Sequence, residues 1–511
     1  MGNNLIKLAQ RKYSNASGVN KNRTKQTQKN GKNSNAMLVA GSSNEKHQFL
    51  SSSIFKLNRD CFDELFDYLS LRDLHSLAQT CESMHQMTGE FFTRNYSHSK
   101  FLCLSDGIYM LDDDGDINNA SIDKCIPIPG FISFITWISI ENTSNNDRIK
   151  KKSRELDKFR FIKLHSNEFE SVKKLSLTKI HINKQIVGYI SKILPNIEVL
   201  ELTISTITQD FYDIFLKHCR SVRSIRLTEV YNKGKHFKWL RKHYEKLEHL
   251  ELCMERKIDE LDEFFERNPN LRSFSCDLDT FSVNLDALLN SKVKLDTLEL
   301  NCEHFDEQYT DKQFLWDPLH QLHANGFFKR LHVSGLDDLR DDQLPSMPFF
   351  EQFSIGCNYR SLGSYANHLI EYVETGAHVS WLWNEIMKKS GKSKNEILVE
   401  DLINVERLYV FKETFDILLF IKKLRNLKKL KLVQFKSSEI LQLDMLNTER
   451  EKLAGARKVT IYVPQTVYMA TKWATKNGTT NFSLIEMKRS NSFEWNRFQG
   501  TYFTQLPPGL Y

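Results

Sequence analysis

The hexapeptide VKKLSL at residues 172–177 returns in altered form along much of the chain. Each copy has apolar residues at its first, fourth and sixth positions, and the first five intervals between copies are 25, 25, 25, 24 and 24 residues. The copies are VKKLSL at 172, IEVLEL at 197, VRSIRL at 222, LEHLEL at 247, LRSFSC at 271, LDTLEL at 295, FKRLHV at 328, FEQFSI at 350, VERLYV at 405, LKKLKL at 427 and ARKVTI at 456, with a degenerate copy, VSWLWN, at 379. So even a spacing indicates a repeat architecture rather than unrelated strands.

Segments with helical spacing separate the copies. Apolar positions recur at intervals of three and four, first at Phe211, Ile214 and Phe215 and later at Leu261, Phe264 and Phe265. A short strand followed by a helix about every 25 residues resembles the leucine-rich repeat, over roughly residues 160–465. The resemblance implies an α/β solenoid, in which a curved parallel sheet carries helices on its outer side.

Strand alternation predicts one outward-facing stripe across the repeats. The residue between the last two apolar positions of each copy should point away from the core. These residues are Ser176, Glu201, Arg226, Glu251, Ser275, Glu299, His332, Ser354, Trp383, Tyr409, Lys431 and Thr460. We expect them to lie side by side on an exposed surface.

The late half of that surface is the predicted target-binding patch. It brings together aromatic, Arg and Lys side chains, which are Trp381, Trp383, Arg407, Tyr409, Phe411, Lys429 and Lys431. Aromatic residues and Arg are enriched at binding hot spots. The alternative is that insertions at 357–378 or 384–400 cover these side chains.

A second informative segment precedes the repeats and begins near residue 54. Apolar residues recur there at intervals of three and four, first at Phe62, Leu65, Phe66 and Leu69 and then at Leu74, Leu77, Ala78 and Cys81. The pattern predicts two amphipathic helices that meet at residues 70–73, followed by a third helical turn through Met84 and Met87. Asn58 can cap the first helix, and Ser70 or Asp73 the second. Three helices in about 40 residues are too small to bury all their apolar side chains, so we expect them to dock on another part of the protein.

This segment resembles the F-box over residues 54–95. The matching positions are Leu57, 60–62, Leu65-Phe66-x-Tyr68-Leu69, Leu71-Arg72-Asp73-Leu74 and Leu77-Ala78-x-x-Cys81. It departs from the family at Asn58, Thr80 and Met84, where Pro, Val and Phe are usual. The resemblance implies an all-α module that binds a Skp-family adaptor, which in turn bridges to a cullin ubiquitin ligase. The candidates for F-box packing and adaptor contact are Leu57, Phe62, Leu65, Phe66, Leu69, Leu71, Leu74 and Leu77; one sequence does not separate the two roles.

Charge and composition define the remaining segments. The 511 residues carry a net charge of +7, but residues 1–50 alone sum to +8, so the rest of the chain is close to neutral. That basic Asn/Ser/Lys-rich segment is too poor in apolar residues to bury a core, and it is predicted to be disordered. The predicted organisation is a tail at 1–50, an F-box at 51–96, an N-terminal cap or linker at 97–160, repeats at 161–465 and a C-terminal cap at 466–511.

Several classes of protein are disfavoured by the sequence. Its longest apolar stretch, 126–140, is too short and too interrupted to span a bilayer, and the N-terminus does not resemble a secretory signal, which favours a cytoplasmic or nuclear location. Nine scattered cysteines without a C-x-x-C pair predict reduced thiols rather than disulfides or a zinc site. No G-x-S-x-G, H-E-x-x-H or G-x-G-x-x-G motif occurs, so no catalytic residue, metal or cofactor is predicted.

These observations together predict a non-catalytic substrate receptor of a Skp/cullin/F-box ubiquitin ligase. The repeats would hold a target protein of unknown identity, while the F-box holds the adaptor. The alternative is a leucine-rich-repeat scaffold or inhibitor that does not associate with a ligase. A third hypothesis is nucleic-acid association through the basic tail, which the neutral body of the chain disfavours.

Overall fold

The computed structural model describes sixteen stretches of the chain. They are 57–96, 99, 101–104, 107–110, 126–142, 155–207, 211–228, 230–232, 237–254, 257–301, 313–334, 350–353, 372–375, 406–411, 417–433 and 440–490. The N-terminal tail, the degenerate copy at 379 and residues 491–511 lie outside these stretches.

Helices and strands alternate through most of the described chain. The helices are α1 (Arg59–Phe66), α2 (Leu71–Ala78), α3 (Glu82–Tyr96), α4 (Glu155–Leu164), α5 (Lys184–Ile190), α6 (Phe211–Ile214), α7 (Leu261–Arg267), α8 (Leu278–Val283), α9 (Leu285–Asn290), α10 (Gln313–Ala324), α11 (Ile417–Lys423), α12 (Leu443–Glu451) and α13 (Gln465–Ala474). The strands are β1 (Phe101–Cys103), β2 (Ile108–Met110), β3 (Ile126–Pro127), β4 (Trp137–Glu141), β5 (Lys174–Thr178), β6 (His181–Ile182), β7 (Val199–Thr203), β8 (Thr206–Ile207), β9 (Ser224–Thr228), β10 (Tyr231–Asn232), β11 (His249–Cys253), β12 (Ser273–Asp277), β13 (Leu295–Asn301), β14 (Phe328–Ser334), β15 (Phe350–Phe353), β16 (Tyr372–Thr375), β17 (Arg407–Phe411), β18 (Lys429–Val433), β19 (Val459–Val463) and β20 (Ile485–Arg489). Short 3-10 helices lie at Pro129–Phe134, Leu194–Asn196, Leu216–His218, Lys238–Arg241 and Lys476–Gly478.

A large parallel sheet confirms the mixed α/β fold predicted from the repeats. Twelve strands pair in the order β15-β14-β13-β12-β11-β9-β7-β5-β4-β1-β2-β3, and the pairs from β15 to β1 are parallel. Equivalent positions of successive copies face one another; for example, Leu200 of β7 pairs with Leu175 on one side and Ile225 on the other. Each predicted copy, except the degenerate one at 379, therefore coincides with an observed strand.

Burial of alternate residues explains why the copies form strands. Leu175, Leu177, Leu200 and Leu202 are all fully buried and point into the space between the sheet and the helices. After β4, β5 and β7, the residue that follows the strand donates its N–H to the next strand. Ile204, for example, has φ +48° and donates its N–H to the carbonyl of Thr228. A positive φ is unusual for a β-branched residue, and the ladder between repeats holds it there.

The parallel strands continue past both limits predicted for the repeats. On the N-terminal side β4 pairs in parallel with β5, although residues 97–160 were predicted to form a cap. On the C-terminal side a second sheet has the order β16-β17-β18-β19-β20, so one parallel strand follows α13. Neither outer strand was found from the sequence, because neither was recognised as a copy of the hexapeptide.

Candidate protein-interaction surfaces

The predicted helical trio is present, and we call residues 57–96, which contain its three helices, the helical unit. Asn58 caps α1, because its side-chain oxygen accepts the N–H of Cys61 at 2.9 Å. Ser70 caps α2 by accepting the N–H of Asp73 at 3.2 Å. Both helix starts therefore follow the predicted capping residues, with Ser70 taking the second position.

The eight residues proposed for packing and adaptor contact separate by exposure. Four are core residues with at most 2% of their surface exposed: Phe62, Phe66, Leu71 and Leu74. Three are partly buried against that core: Leu65, Leu69 and Leu77. Leu57 differs from all of these, because 46% of its surface is exposed. The four residues that retain apolar surface for a partner are therefore Leu57, Leu65, Leu69 and Leu77.

The helical unit docks on the 3-10 helix at Pro129–Phe134. The Phe131 ring stacks on Phe92 of α3, with centroids 4.6 Å apart. The Phe134 ring covers Gly89, where a Cβ atom would lie only 2.1 Å from the ring. A glycine at this point of α3 therefore permits the close approach.

Two histidines clamp one residue of the same 3-10 helix. The N–H of Gly130 donates to Nε2 of His75 at 2.9 Å, and Nε2 of His85 donates to the Gly130 carbonyl at 2.7 Å. The first bond requires a neutral His75 ring, since a protonated imidazole has no acceptor. Burial accordingly lowers the pKa of His75 below its ordinary value of 6.5.

This docking should weaken in mild acid. Because the folded-state pKa of His75 is depressed, its contribution is complete above pH 6.5 and is lost as the pH falls below that value. Hydrogen exchange of residues 129–134 should therefore speed up between pH 7.5 and pH 5.5, after correction for intrinsic rates. A His75→Gln variant keeps an acceptor that does not titrate, and its corrected rates should change less. Local exchange is the suitable measurement, because the buried His249 of β11, whose pKa is also lowered, contributes to global pH dependence. Equal pH dependence in both proteins would contradict the assignment to His75.

The helical unit also docks on the other end of the described chain. We call residues 465–489, which comprise α13, the 3-10 helix Lys476–Gly478 and β20, the C-terminal unit. Asp67, at the end of α1, receives hydrogen bonds from Arg489 Nη1 at 2.8 Å, Lys472 Nζ at 3.1 Å and the Tyr468 hydroxyl at 3.2 Å. The Tyr96 hydroxyl donates to Gln465 at 3.2 Å. The helical unit thus contacts parts of the chain that lie both before and after the repeats.

The ionised form of Asp67 is favoured at this contact. Burial alone would raise the pKa of its carboxyl group, but the charges of Arg489 and Lys472 outweigh burial and lower the pKa below its ordinary value. Sequence analysis did not single out Asp67, Lys472 or Arg489. Asp67 lies about 400 residues before the other two, and only the fold brings the three together.

The predicted stripe is continuous from Ser176 to His332, but its predicted exposure is wrong. Thr460 does not continue it, because Thr460 pairs with Lys429 while Lys431 pairs with Tyr462, and Ser354 and Trp383 lie outside the described residues. Strand register places Ser176, Glu201, Arg226 and Glu251 side by side, as expected. All four are nevertheless buried, as are Ser275, Glu299, His332 and Lys431. These residues are buried partly because charged side chains on neighbouring strands pair across the sheet and shield one another from solvent. The alternation pattern of a single strand does not reveal such pairing.

Glu201 is the centre of this buried charge network. Its carboxylate lies 2.7 Å from Lys174 Nζ and 3.0 Å from Arg226 Nη1, and it accepts a hydrogen bond from the Ser176 hydroxyl at 2.5 Å. Arg226 Nε lies 3.7 Å from Glu251 on the following strand, so the charges alternate in sign across the sheet. Burial raises the pKa of Glu201, but Lys174 and Arg226 outweigh it and lower the pKa to about 2.

The target-binding patch is only partly within the described residues. Trp381 and Trp383 lie outside them, and Tyr409 and Phe411 are described only in their backbone. The register pairs Arg407 with Lys429 and Tyr409 with Lys431, so these positions are adjacent on β17 and β18, as predicted. Lys431 itself is buried.

Other kinds of site were also sought in the described part of the chain. Within it, no group of three or more His, Cys, Asp and Glu side chains is arranged to hold a metal ion. Six cysteines lie in these stretches: Cys61 and Cys81 are exposed, whereas Cys103, Cys219, Cys253 and Cys276 are buried. None of the helices in the described stretches combines the length and the apolar character needed to cross a bilayer.

Comparison with known proteins yields a distant structural match. No protein-family model matches the chain, and no curated protein matches it. A solved chain from the crystal structure of the TLR13–ssRNA13 complex has 15% sequence identity and a TM-score of 0.30, with 65% of this chain and 46% of that chain covered. The alignment thus spans less than half the length of that solved chain. A likeness this distant assigns neither a family nor a function.

Proposed function

We propose that the protein is a non-catalytic substrate receptor of a Skp/cullin/F-box ubiquitin ligase. In this proposal the helical unit is an F-box that binds a Skp-family adaptor, and the parallel strands and helices are leucine-rich repeats that hold a target protein. The receptor would act by proximity, because it would raise the effective concentration of target lysines near a charged conjugating enzyme.

The observation that carries this proposal is the arrangement of leucines in the helical unit. The F-box-like residues divide into a buried set that holds three helices together and a set with accessible surface, which includes Leu57. Leu57, Leu65, Leu69 and Leu77 give this one small module apolar surface that a partner protein could contact. The repeats add support, because a long parallel sheet in the same chain offers an extended surface for a second protein.

A binding measurement with purified Skp-family adaptor tests the proposal. The change is Leu57→Asp, which should weaken capture of the adaptor by at least about tenfold, because a carboxylate is costly to bury in an apolar interface. Its effect on stability should be small, since Leu57 is largely exposed and contributes little to the core.

Leu164→Asp is the matched control. Leu164 is 80% exposed and lies on α4, outside the helical unit, so this change should leave adaptor capture unaltered. Absence of capture by the wild-type protein would remove the ligase assignment. It would favour the alternative, a leucine-rich-repeat scaffold or inhibitor whose helical unit only covers the ends of the sheets.

A further inference from the structure

The helical unit does not present all of α1 to solvent. Cys61 and Glu64 lie one turn apart on the same side of α1, and Tyr68 lies two residues beyond the end of this helix. Cys61 is exposed, but Lys472 Nζ lies 3.2 Å from the Glu64 carboxylate and 4.7 Å from the centre of the Tyr68 ring. Lys472 of the C-terminal unit therefore contacts residues at the C-terminal end of α1 and just beyond it.

Arg489 makes the contact specific. Its side chain is only 1% exposed and donates to four acceptors: the Asp67 carboxylate at 2.8 Å, the Asp67 carbonyl at 3.2 Å, the Gln465 side chain at 2.8 Å and the Asn95 side chain at 3.4 Å. The Tyr468 ring lies beneath the guanidinium, with its centre 4.1 Å away. Because two of these acceptors belong to the residue that ends α1, the buried cation loses its counter-charge whenever the helical unit moves away.

Close packing reinforces the charge pairing. The Tyr68 hydroxyl lies against Gly478, where a Cβ atom would be 1.6 Å from that oxygen, and Gly478 has φ +65°. A side chain at this position would therefore be strained and would also push α1 away. Ionic, aromatic and steric contacts all fix the same relative position of the two units.

We propose that the C-terminal unit is a clasp that fixes the orientation of the helical unit and thereby sets its affinity for the adaptor. The statement about affinity rests on the proposed function, whereas the statement about orientation does not. Asp67, Lys472 and Arg489 are then positioning residues: they act through α1 without touching the adaptor. Adaptor binding would depend on residues about 400 positions beyond the helices that make the contact.

Two measurements on the full-length chain test the clasp. Arg489→Met removes the guanidinium and keeps an apolar stem, so hydrogen exchange of the α1 and α2 amides should rise by about tenfold or more. Adaptor affinity should fall by a similar factor. Lys488→Met is the matched control, because Lys488 is the exposed neighbour and its ion pair is with Glu486 on the same strand, so both readouts should remain at the wild-type level.

A second variant separates positioning from general loss of structure. Asp67→Asn should raise exchange in α1 in the same way, and the Asp67→Asn/Arg489→Met double variant should be little worse than Arg489→Met alone, because both changes break one contact. Exchange in β7 to β13 should stay unchanged in all variants, which checks that the repeats remain folded.

The outcomes distinguish the two proposals. If hydrogen exchange in α1 is unchanged in Arg489→Met, the clasp is overturned, whether or not the affinity for the adaptor changes. Faster hydrogen exchange in Arg489→Met with unchanged adaptor affinity would overturn the role of the clasp in adaptor binding. If the wild-type protein does not bind the adaptor at all, the proposed function fails and the claim about affinity fails with it, while faster exchange still supports the fixed orientation.

Discussion

Replacing Arg450 by methionine should destabilise the region around α11 and α12 by about 3–5 kcal/mol. Arg450 is fully buried, and its guanidinium donates to the carbonyls of Ile421, Leu424, Arg425, Leu427 and Arg457 at 2.8–3.2 Å. Several of these carbonyls follow the last turn of α11, where no intrahelical N–H group remains to bond them. Methionine keeps much of the volume but removes all five N–H groups. The carbonyls of Leu424 and Arg425 also accept a backbone N–H, whereas those of Ile421, Leu427 and Arg457 depend more on the guanidinium.

Urea denaturation and hydrogen exchange of residues 417–463 measure this effect. The matched control is Lys452→Met, two residues later, because Lys452 is exposed and pairs with Glu449 at the surface. That variant should change the free energy of unfolding by less than about 0.5 kcal/mol. A loss below about 1 kcal/mol in Arg450→Met would mean that the carbonyls find other donors and that Arg450 is not the structural centre of this region.

Replacing Glu201 by glutamine should cost about 3 kcal/mol at neutral pH. The pKa of Glu201 is lowered from 4.5 to about 2, and each tenfold change in the affinity of a group for its proton corresponds to about 1.4 kcal/mol. Glutamine retains the shape but leaves the buried Arg226 and the half-buried Lys174 without the charge that they share. Glu198→Gln is the matched control, because Glu198 pairs with the exposed Lys173 at the edge of the same strand region.

The pH dependence provides an independent check on the same residue. Because the folded-state pKa of Glu201 is depressed, its contribution is complete above pH 4.5 and disappears as the pH falls towards 2. Urea denaturation from pH 6 to pH 2.5 should therefore show a steeper loss of stability in the wild-type protein than in Glu201→Gln. Parallel curves for the two proteins would contradict a depressed pKa for Glu201 in the folded state.

Local sequence patterns predicted much of the fold because the relevant interactions are local or periodic. The apolar positions of each hexapeptide determine one buried strand, and Asn58 and Ser70 cap helices through N–H groups three residues away. The stripe from Ser176 to His332 was correctly predicted as continuous for the same reason.

Lateral and long-range contacts could not be predicted in this way. Burial of the stripe depends on which charges face each other across adjacent strands, such as Glu201 and Arg226. Arg450 follows Leu443 and Leu446 on the buried side of α12, and Arg489 follows Ile485 and Met487 on that of β20, but an apolar pattern does not show which groups would accept hydrogen bonds from a buried arginine. Their acceptors lie on other elements, and one sequence without its fold does not pair an arginine with a carboxylate 422 positions away.

The distance along the chain between Asp67 and Arg489 also governs when the clasp can exist during synthesis. The two residues are 422 positions apart, and a ribosome adds about 5–20 residues per second. The helical unit therefore emerges about 20–85 s before the arginine that completes its second docking surface. Before that arginine emerges, the helical unit can already contact the 3-10 helix at Pro129–Phe134 and Phe101 of β1. A nascent chain that ends prematurely would carry every F-box-like residue and still lack the contact that holds them in place.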